Sequence, residues 1–543
     1  MQHNRSYIMD SHILETFPVS YSYSDFTNWS KEVTGSHILT CAPANQQELL
    51  AVVNWAYKNN YHVRPVGMKH NWSTLTIANG DNNSSVLLVD LTKKLTKVSI
   101  TKEGEHGFVT AQTGIAMQTL MTELEKQKLG FYATPAPGDL TLGGVLAIGG
   151  HGTCIPAAEE ALAEGGSYGS VSNSIVSLSA VVWNAQSGEY ELKTFKRDDA
   201  EIAAFMVHVG RALIFEATLQ VPRNRRLRCQ SYVNVPAKEL FAAEDSGQRT
   251  FTHFLEQCGR AEIIWFPFTE NPWLKIWTLE DHYPVTAKPV NTPFNYPFSD
   301  NLPVQVSDLI KKINNGAPEF TPDLGKAQME LVSIGLGATL SGDLWGWSKD
   351  LLLYVKPSTL RVTANGYAII TRRDNIQRVL NDFAVKYEEM VSRYKERNSY
   401  PMNGPIEVRV TGLDKARDST VANAVTADLS AIRPVDDKPE WDTAIWLDIL
   451  TMPDTPDANK FYHEMETWIY SHFSGDYATV RVEWSKGWAY TDQAAWAADE
   501  VMSKEIPQSF GGSWQHARDV LDKYDPHYLF SSPLINTFFN SEK

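Results

Sequence analysis

The segment from Thr134 to Pro156, TPAPGDLTLGGVLAIGGHGTCIP, sets Gly138, Gly143, Gly144, Gly149, Gly150 and Gly152 among small and apolar residues. Glycine carries no Cβ, so the main chain can come up against a ligand, and successive N–H groups then form a concavity for an anion such as a pyrophosphate. Two Gly-Gly pairs flank Val145-Leu-Ala-Ile148, a short apolar run that reads as a turn of helix or strand against a flat, partly anionic molecule. A lone Gly pair is an ordinary tight turn. Six glycines in one stretch, with a second candidate turn upstream, point to a cofactor-binding segment.

The upstream turn is Arg64-Pro-Val-Gly67-Met-Lys-His70-Asn71-Trp-Ser73, which breaks an extended run from Tyr61 to Val66. A loop after a strand with Gly67, an arginine and a hydroxyl suits a phosphate. A histidine there can present a ring nitrogen to an electrophilic carbon, or it is simply a satisfied polar residue in a turn.

The chain has 543 residues, enough for two or more domains. Its 49 Lys and Arg stand against 64 Asp and Glu, a formal net charge of −15 with no basic block, which argues against nucleic acid as partner. The 16 tryptophans suit a large apolar cavity as well as a large core. Cys41, Cys154, Cys229 and Cys258 lack CxxC spacing and read as buried free thiols rather than a metal site. No apolar run of about 18 residues is present to span a membrane. The N-terminus MQHNRSYIMD lacks a signal-peptide core, which leaves the compartment open.

Strand and helix signals alternate over the first ninety residues: Asn45 caps a helix carrying Leu49, Val52, Val53 and Ala56 at helical spacing, and Val86–Asp90 is a strand. A helix from 115 to 128 and β-type runs at 172–183, 190–194 and 214–221 follow. Composition shifts near Pro222-Arg-Asn-Arg-Arg226. The reading is α+β with two domains: 1–225 and 478–543 form one, and 226–477 is an inserted mixed α/β domain. Inside the insert, strands fall at 262–268, 274–279, 367–371, 407–411 and 444–450, and helices at 375–397 and 458–471. The Pro- and Asn-rich stretch 283–303 is a candidate lid. Gly335-Leu-Gly337 imitates a dinucleotide fingerprint but reads as a loop, and Gly165-Gly-Ser167-Tyr-Gly169 lacks the strand that a nucleophile elbow needs.

In Ile406-Glu-Val-Arg-Val-Thr-Gly412, period two puts Ile406, Val408 and Val410 on one face and Glu407, Arg409 and Thr411 on the other. Such a pair is either a solvated ion pair or a cation-supported carboxylate at a site. Glu262 sits in an apolar strand, Ala261-Glu-Ile-Ile-Trp-Phe, where it has a structural partner or serves as a base.

Arg64-Pro-x-Gly67-x-x-His70, Thr141-Leu-Gly143-Gly144 and Gly149-Gly150-His151-Gly152 resemble the flavin-binding pattern of the vanillyl-alcohol oxidase (p-cresol methylhydroxylase) superfamily. PAPGDLTLGGVLAIGGHGT, Trp265-Phe-Pro-Phe-Thr269 and Gly404–Asp414 are similar to the class II, covalently flavinylated cholesterol oxidases. The resemblance spans most of the chain and implies a discontinuous FAD domain around an inserted sterol domain. It implies FAD held by Arg64, Gly67, Asn71, Gly138, Asp139, Thr141, the four glycines of the two pairs, His151 and Gly152, and covalently attached through His70. Trp484-Ser-Lys486 departs from the family's His-Trp-Gly-Lys; with Asp525-Pro526 it marks the return to the FAD domain. The implied activity oxidises a 3β-hydroxysterol to the 3-ketone with Δ5-to-Δ4 isomerisation, O2 becoming H2O2, with Glu407, Arg409 and Glu262 at the reaction centre. Aromatic residues of the insert would line the sterol cavity. The implied partners are a sterol, O2 and, transiently, a membrane surface, and the resemblance points to secretion. An oxidase or dehydrogenase of sugars or alditols in the same superfamily, and a flavin-free steroid binder, are the alternatives.

Overall fold

The computed structural model describes residues 14–80, 82–136, 138, 140–247, 249–296, 302–352 and 359–539. Three sheets organise them. In the four-stranded sheet, Val86–Asp90 lies between Thr34–Cys41 and His62–Val66 and runs parallel to both. Leu87, Leu88 and Val89 are buried on both faces, as a parallel strand requires. The helix Gln46–Lys58 crosses over between the two outer strands. The Asn45 side chain accepts from Glu48 N–H at its start, and the expected apolar stripe faces the sheet.

A five-stranded antiparallel sheet carries Val98–Glu103, His106–Gln112, Leu213–Val221, Ile175–Asn184 and Glu189–Lys196 in spatial order. The nine-stranded sheet holds the insert together. At its centre, Ala261–Trp265, Ile406–Gly412, Thr443–Thr451 and Thr363–Thr371 lie side by side and antiparallel. Ile406, Val408 and Val410 alternate onto one face and share a core with Leu447, Ile449 and the helices Ile376–Glu396 and Ala458–His472. The same alternation turns Glu407, Arg409, Trp446, Asp448 and Glu262 to the opposite face.

Several elements differ from their sequence reading. Gly335 and Gly337 end the helix Thr321–Ala338 rather than forming a loop; Leu324, Val332 and Leu336 are buried on one side of that helix, and the packing offsets weak glycine propensity of about 1 kcal/mol each. Lys288–Pro289, inside the expected lid, pairs with Asp343–Trp347, while 297–301 lie outside the described residues. Thr479–Val482, read as the start of the return, is the edge strand of the large sheet, paired with Thr363–Thr371.

Beyond that strand the chain does come back to the N-terminal sheets. The helix Gly512–Tyr524 packs on Ile202–Met206 and Ile175–Asn184. The Asp525 carboxylate then accepts from Arg211, from Tyr190 Oη at 2.6 Å, and from the N–H groups of Leu529 and Phe530 at 2.9 and 3.0 Å. Val63 N–H donates to Leu529 O at 2.8 Å, tying the tail to the first sheet. Removing this buried anion leaves Arg211 only Asp522 at 3.3 Å and a main-chain carbonyl, and frees three other donors, so Asp525→Ala is expected to lower stability by about 3–5 kcal/mol. Urea unfolding followed by tryptophan fluorescence reads the effect, and an unchanged midpoint contradicts it.

Candidate active site

The helix Leu142–Ala147 is the apolar turn expected inside the glycine segment, and Thr141 caps it by accepting from Gly144 N–H at 3.3 Å. Most of these glycines are required by neighbouring chain. A Cβ at Gly67 would land on Thr141 Oγ1, one at Gly143 would lie 2.9 Å from Thr113 Cβ, and one at Gly150 would lie 2.8 Å from Val145 Cγ1. Gly152 likewise sits against the Thr134 main chain. Gly144 is different: a Cβ there would meet only Thr141 Oγ1, at 3.3 Å, and the residue lines a cavity of about 490 Å³. Gly149, at φ +65°, lines it too, in a backbone conformation that favours glycine. That volume falls within the usual range of ligand pockets.

Gly67, His70, Asn71, Thr141, Gly143, Gly150, His151 and Gly152 also border this cavity. Gly138 does not, and Asp139 lies outside the described residues. The His70 ring stacks on Trp29 with centroids 4.9 Å apart and meets Trp72 edge-on at 5.9 Å. Arg64 borders the cavity, but backbone carbonyls take its guanidinium: Nε donates to Thr76 O, Nη1 to Gly210 O and Phe530 O, and Nη2 to Leu75 O. It therefore clamps the His70 loop to the C-terminal tail while still bordering the cavity.

The large sheet supplies the facing wall. Arg409 donates from Nε to Glu262 Oε1 at 2.9 Å, from Nη1 to Asp448 Oδ2 at 2.8 Å, and from Nη2 to Glu407 Oε2. Strand pairing sets this fan, because Glu262 is opposite Arg409 on one side and Asp448 is opposite Glu407 on the other. Lys275 Nζ lies 3.6 Å from Glu262 Oε2. Lys486 Nζ donates to Asp448 Oδ2, lies 3.7 Å from Glu483 Oε2, and sits 5.6 Å from the Trp72 ring centroid, linking the two walls. His151 stacks on Trp446 at 3.6 Å, its Nε2 3.7 Å from Glu483 Oε1.

Electrostatics separates the carboxylates. Burial works against a charged Glu262, but Lys275 and Arg409 outweigh it and hold the group below the usual carboxylate range. Glu483 is likewise held low, with Lys486 and His151 outweighing burial. Asp448 goes the other way: burial, and then the charge on Glu483, push it up to about 7 in spite of Lys486 and Arg409.

The structure thus gathers His70, the glycine turns, Glu262, Glu407 and Arg409 around one cavity. Asp448, Glu483, Lys486 and Trp446 were missed as functional candidates by the sequence reading. Only Trp484-Ser-Lys486 offered a signal, since it pointed to the right turn. The insert's aromatics contribute Trp277 and Trp446 to the cavity; Trp29, Trp72 and Phe26 come from the N-terminal part, and most others pack in cores.

A long cavity walled by a bare glycine helix turn on one side and an imidazole nearby fits a flat cofactor of the FAD kind, because Gly144 leaves open the space that a side chain would fill. Comparison with known proteins agrees. Residues 226–540 match the family model for the cholesterol oxidase substrate-binding domain, and residues 38–184 match an FAD-binding domain. A solvent-stable cholesterol oxidase superposes with a TM-score of 0.95 at 53% identity, over 96% of this chain and 99% of that one. Cholesterol oxidase from B. sterolicum gives 0.92 at 39% identity, over 96% and 97%. Mouse (Mus musculus) L-gulonolactone oxidase is 26% identical over 46% of this chain and 50% of its own length, so the chain spans about half of the curated relatives it matches. Xylooligosaccharide oxidase from Myceliophthora thermophila shares the fold, with a TM-score of 0.57 at 11% identity.

Gly144→Leu, which fills the cavity at that opening, is expected to give folded protein without FAD. Far-UV circular dichroism and the visible spectrum read this, and full flavin content in the variant contradicts the assignment.

Proposed function

The chain belongs to the cholesterol oxidase family, and on that premise we infer that it is an FAD-dependent oxidase of 3β-hydroxysterols such as cholesterol. The product is the 3-ketosteroid with its double bond moved from Δ5 to Δ4, and O2 is reduced to H2O2. The observation that carries the residue roles is that the glycine turns and His70 border the same cavity as Glu407 and Arg409.

Gly144, Gly149, Thr141 and Asn71 would hold FAD, with His70 as its covalent attachment point. When bound, FAD supplies the acceptor for the carbinol hydride and passes the electrons to O2. The protein's task is to place the alcohol and manage its proton. Of the two carboxylates first considered as the base, Glu262 has both oxygens facing cations and is held in its charged form, so its role is to fix Arg409. Glu407 engages Arg409 through Oε2 alone, leaving Oε1 to accept the hydroxyl proton. Arg409, charged and pinned from three strands, stabilises negative charge on the substrate oxygen as that proton leaves. The double-bond shift takes a proton from C4 and puts one on C6, so Glu407, once it has passed the hydroxyl proton to solvent, would take the first and return it as the second.

H2O2 release measured across sterols, sugars and alditols tests the activity; turnover of a sugar and not of a sterol contradicts it and favours the gulonolactone-oxidase side of the superfamily. Glu407→Gln is expected to slow anaerobic flavin bleaching by cholesterol about 10²–10⁴-fold, the usual worth of a general base. A change within threefold removes Glu407 from that role. Acid precipitation reads the linkage: a yellow wild-type pellet and a colourless His70→Ala pellet are expected, and a yellow supernatant from wild type contradicts it.

A further inference from the structure

The wall behind Arg409 contains a feature that the oxidation itself does not explain. Asp448 does not border the cavity, yet its side chain is fully buried between the two cations of the cluster. Oδ2 accepts from both Arg409 and Lys486, whereas Oδ1 is buried without a hydrogen-bond partner among the described residues. Glu483 Oε2 is in the same condition. Both oxygens border the space above Gly366: a Cβ there would lie 2.9 Å from Asp448 Oδ1 and 2.8 Å from Glu483 Oε2, the latter also 3.7 Å from Lys486 Nζ. Two carboxylate oxygens in one dry space repel unless a proton lies between them.

The charge balance points the same way. Glu262, Glu407, Asp448 and Glu483 face Arg409, Lys275 and Lys486, an excess of one negative charge in a buried cluster. His151, on the loop at the far side of Glu483, is the remaining titratable neighbour, and it favours charge on Glu483 rather than on Asp448.

We propose that Asp448 and Glu483 hold one proton between them behind the cavity wall, and that this proton sets the charge felt by Arg409, making Asp448 a positioning residue for the oxidation. With the proton on, Asp448 is neutral, the cluster is balanced, and the cation of Arg409 is directed at Glu407 and the substrate oxygen. With it off, an added negative charge behind Arg409 opposes the build-up of negative charge on that oxygen as the hydroxyl proton leaves. Burial and the like charge of Glu483 put the loss of this proton at about pH 7, so the oxidation slows as pH rises through neutrality.

The kinetic arm of the test rests on the sterol-oxidase reading above; the spectroscopic arm does not. In the FAD-loaded enzyme, infrared difference spectra across the neutral pH range are expected to show a carboxylic-acid C=O band that vanishes as the pair ionises. Asp448→Asn, the isosteric mimic of the protonated acid, is expected to remove the part of that band owed to the pair and leave any owed to Glu466, whose buried carboxyl is likewise pushed up to about 7. In the same variant the rate of anaerobic flavin bleaching by cholesterol should no longer fall as pH rises through neutrality. Glu483→Gln removes the like charge, so the remaining transition is expected to change pH by about one unit or more. An Asp448→Asn enzyme with the wild-type band, or with the wild-type pH profile, overturns the proposal. So does a Glu483→Gln enzyme whose transition does not move, and this reading stands even where the Asn variant fails to fold. A protein that shows the band but leaves cholesterol unoxidised keeps the shared proton and refutes the function instead.

Discussion

Arg409 is fastened to carboxylates on both neighbouring strands and on its own, and the charged wall of the cavity takes its shape from that fan. A guanidinium presents its donors in a fixed plane, so three carboxylates can be located at once relative to one rigid group. The cost of burying the cation is offset only because the strand register brings Glu262 and Asp448 opposite Arg409 and Glu407. Burial would drive its proton off, but the charges of Glu407 and Glu262 lead the set that outweighs burial and keeps it firmly charged. Shift any one of these strands by one residue, and its own members of the fan would turn into the helix-packed core.

The opposite wall follows another logic. There the chain itself, rather than a set of charges, shapes the cavity: glycines let the Gly67 turn, Thr113 and Thr134 close on the short helix, and one glycine face is left bare. Arg64 serves this arrangement from behind by clamping the His70 loop, the 208–210 turn and the C-terminal tail through their carbonyls. Its own burial and the nearby Arg211 lower its proton affinity to about 9, and it is still a cation at neutral pH. The tail is thus part of the cofactor wall in an indirect but structural sense, and Lys486 against Trp72 joins that wall to the charged one.

How much of this was legible in the sequence depended on whether a residue's role is local. The Asn45 cap, the alternation of Ile406 to Gly412 and the crowded glycines announce themselves because their physics extends over a few residues. The carbonyl clamp of Arg64 was not legible, since a residue type suited to phosphate is equally suited to carbonyls once it is buried, and only the fold brings Phe530 to it. Asp448 reads in the sequence as a lone acid in AIWLDIL, and Glu483 as one charge in a turn; they become a pair only when Thr363–Thr371 pairs with the strands on both its sides. Gly335 and Gly337 misled in the opposite sense, as packing of Leu324, Val332 and Leu336 overrode a local breaker.

The proposed function requires one cavity to bring together a flavin and a sterol hydroxyl. The visible spectrum of the purified protein before and after cholesterol is added without oxygen tests this at once. The blue-region absorbance of oxidised flavin is expected, bleached by the sterol and restored by air. A colourless protein that takes up no FAD, or flavin that stays oxidised in the presence of cholesterol, would contradict it.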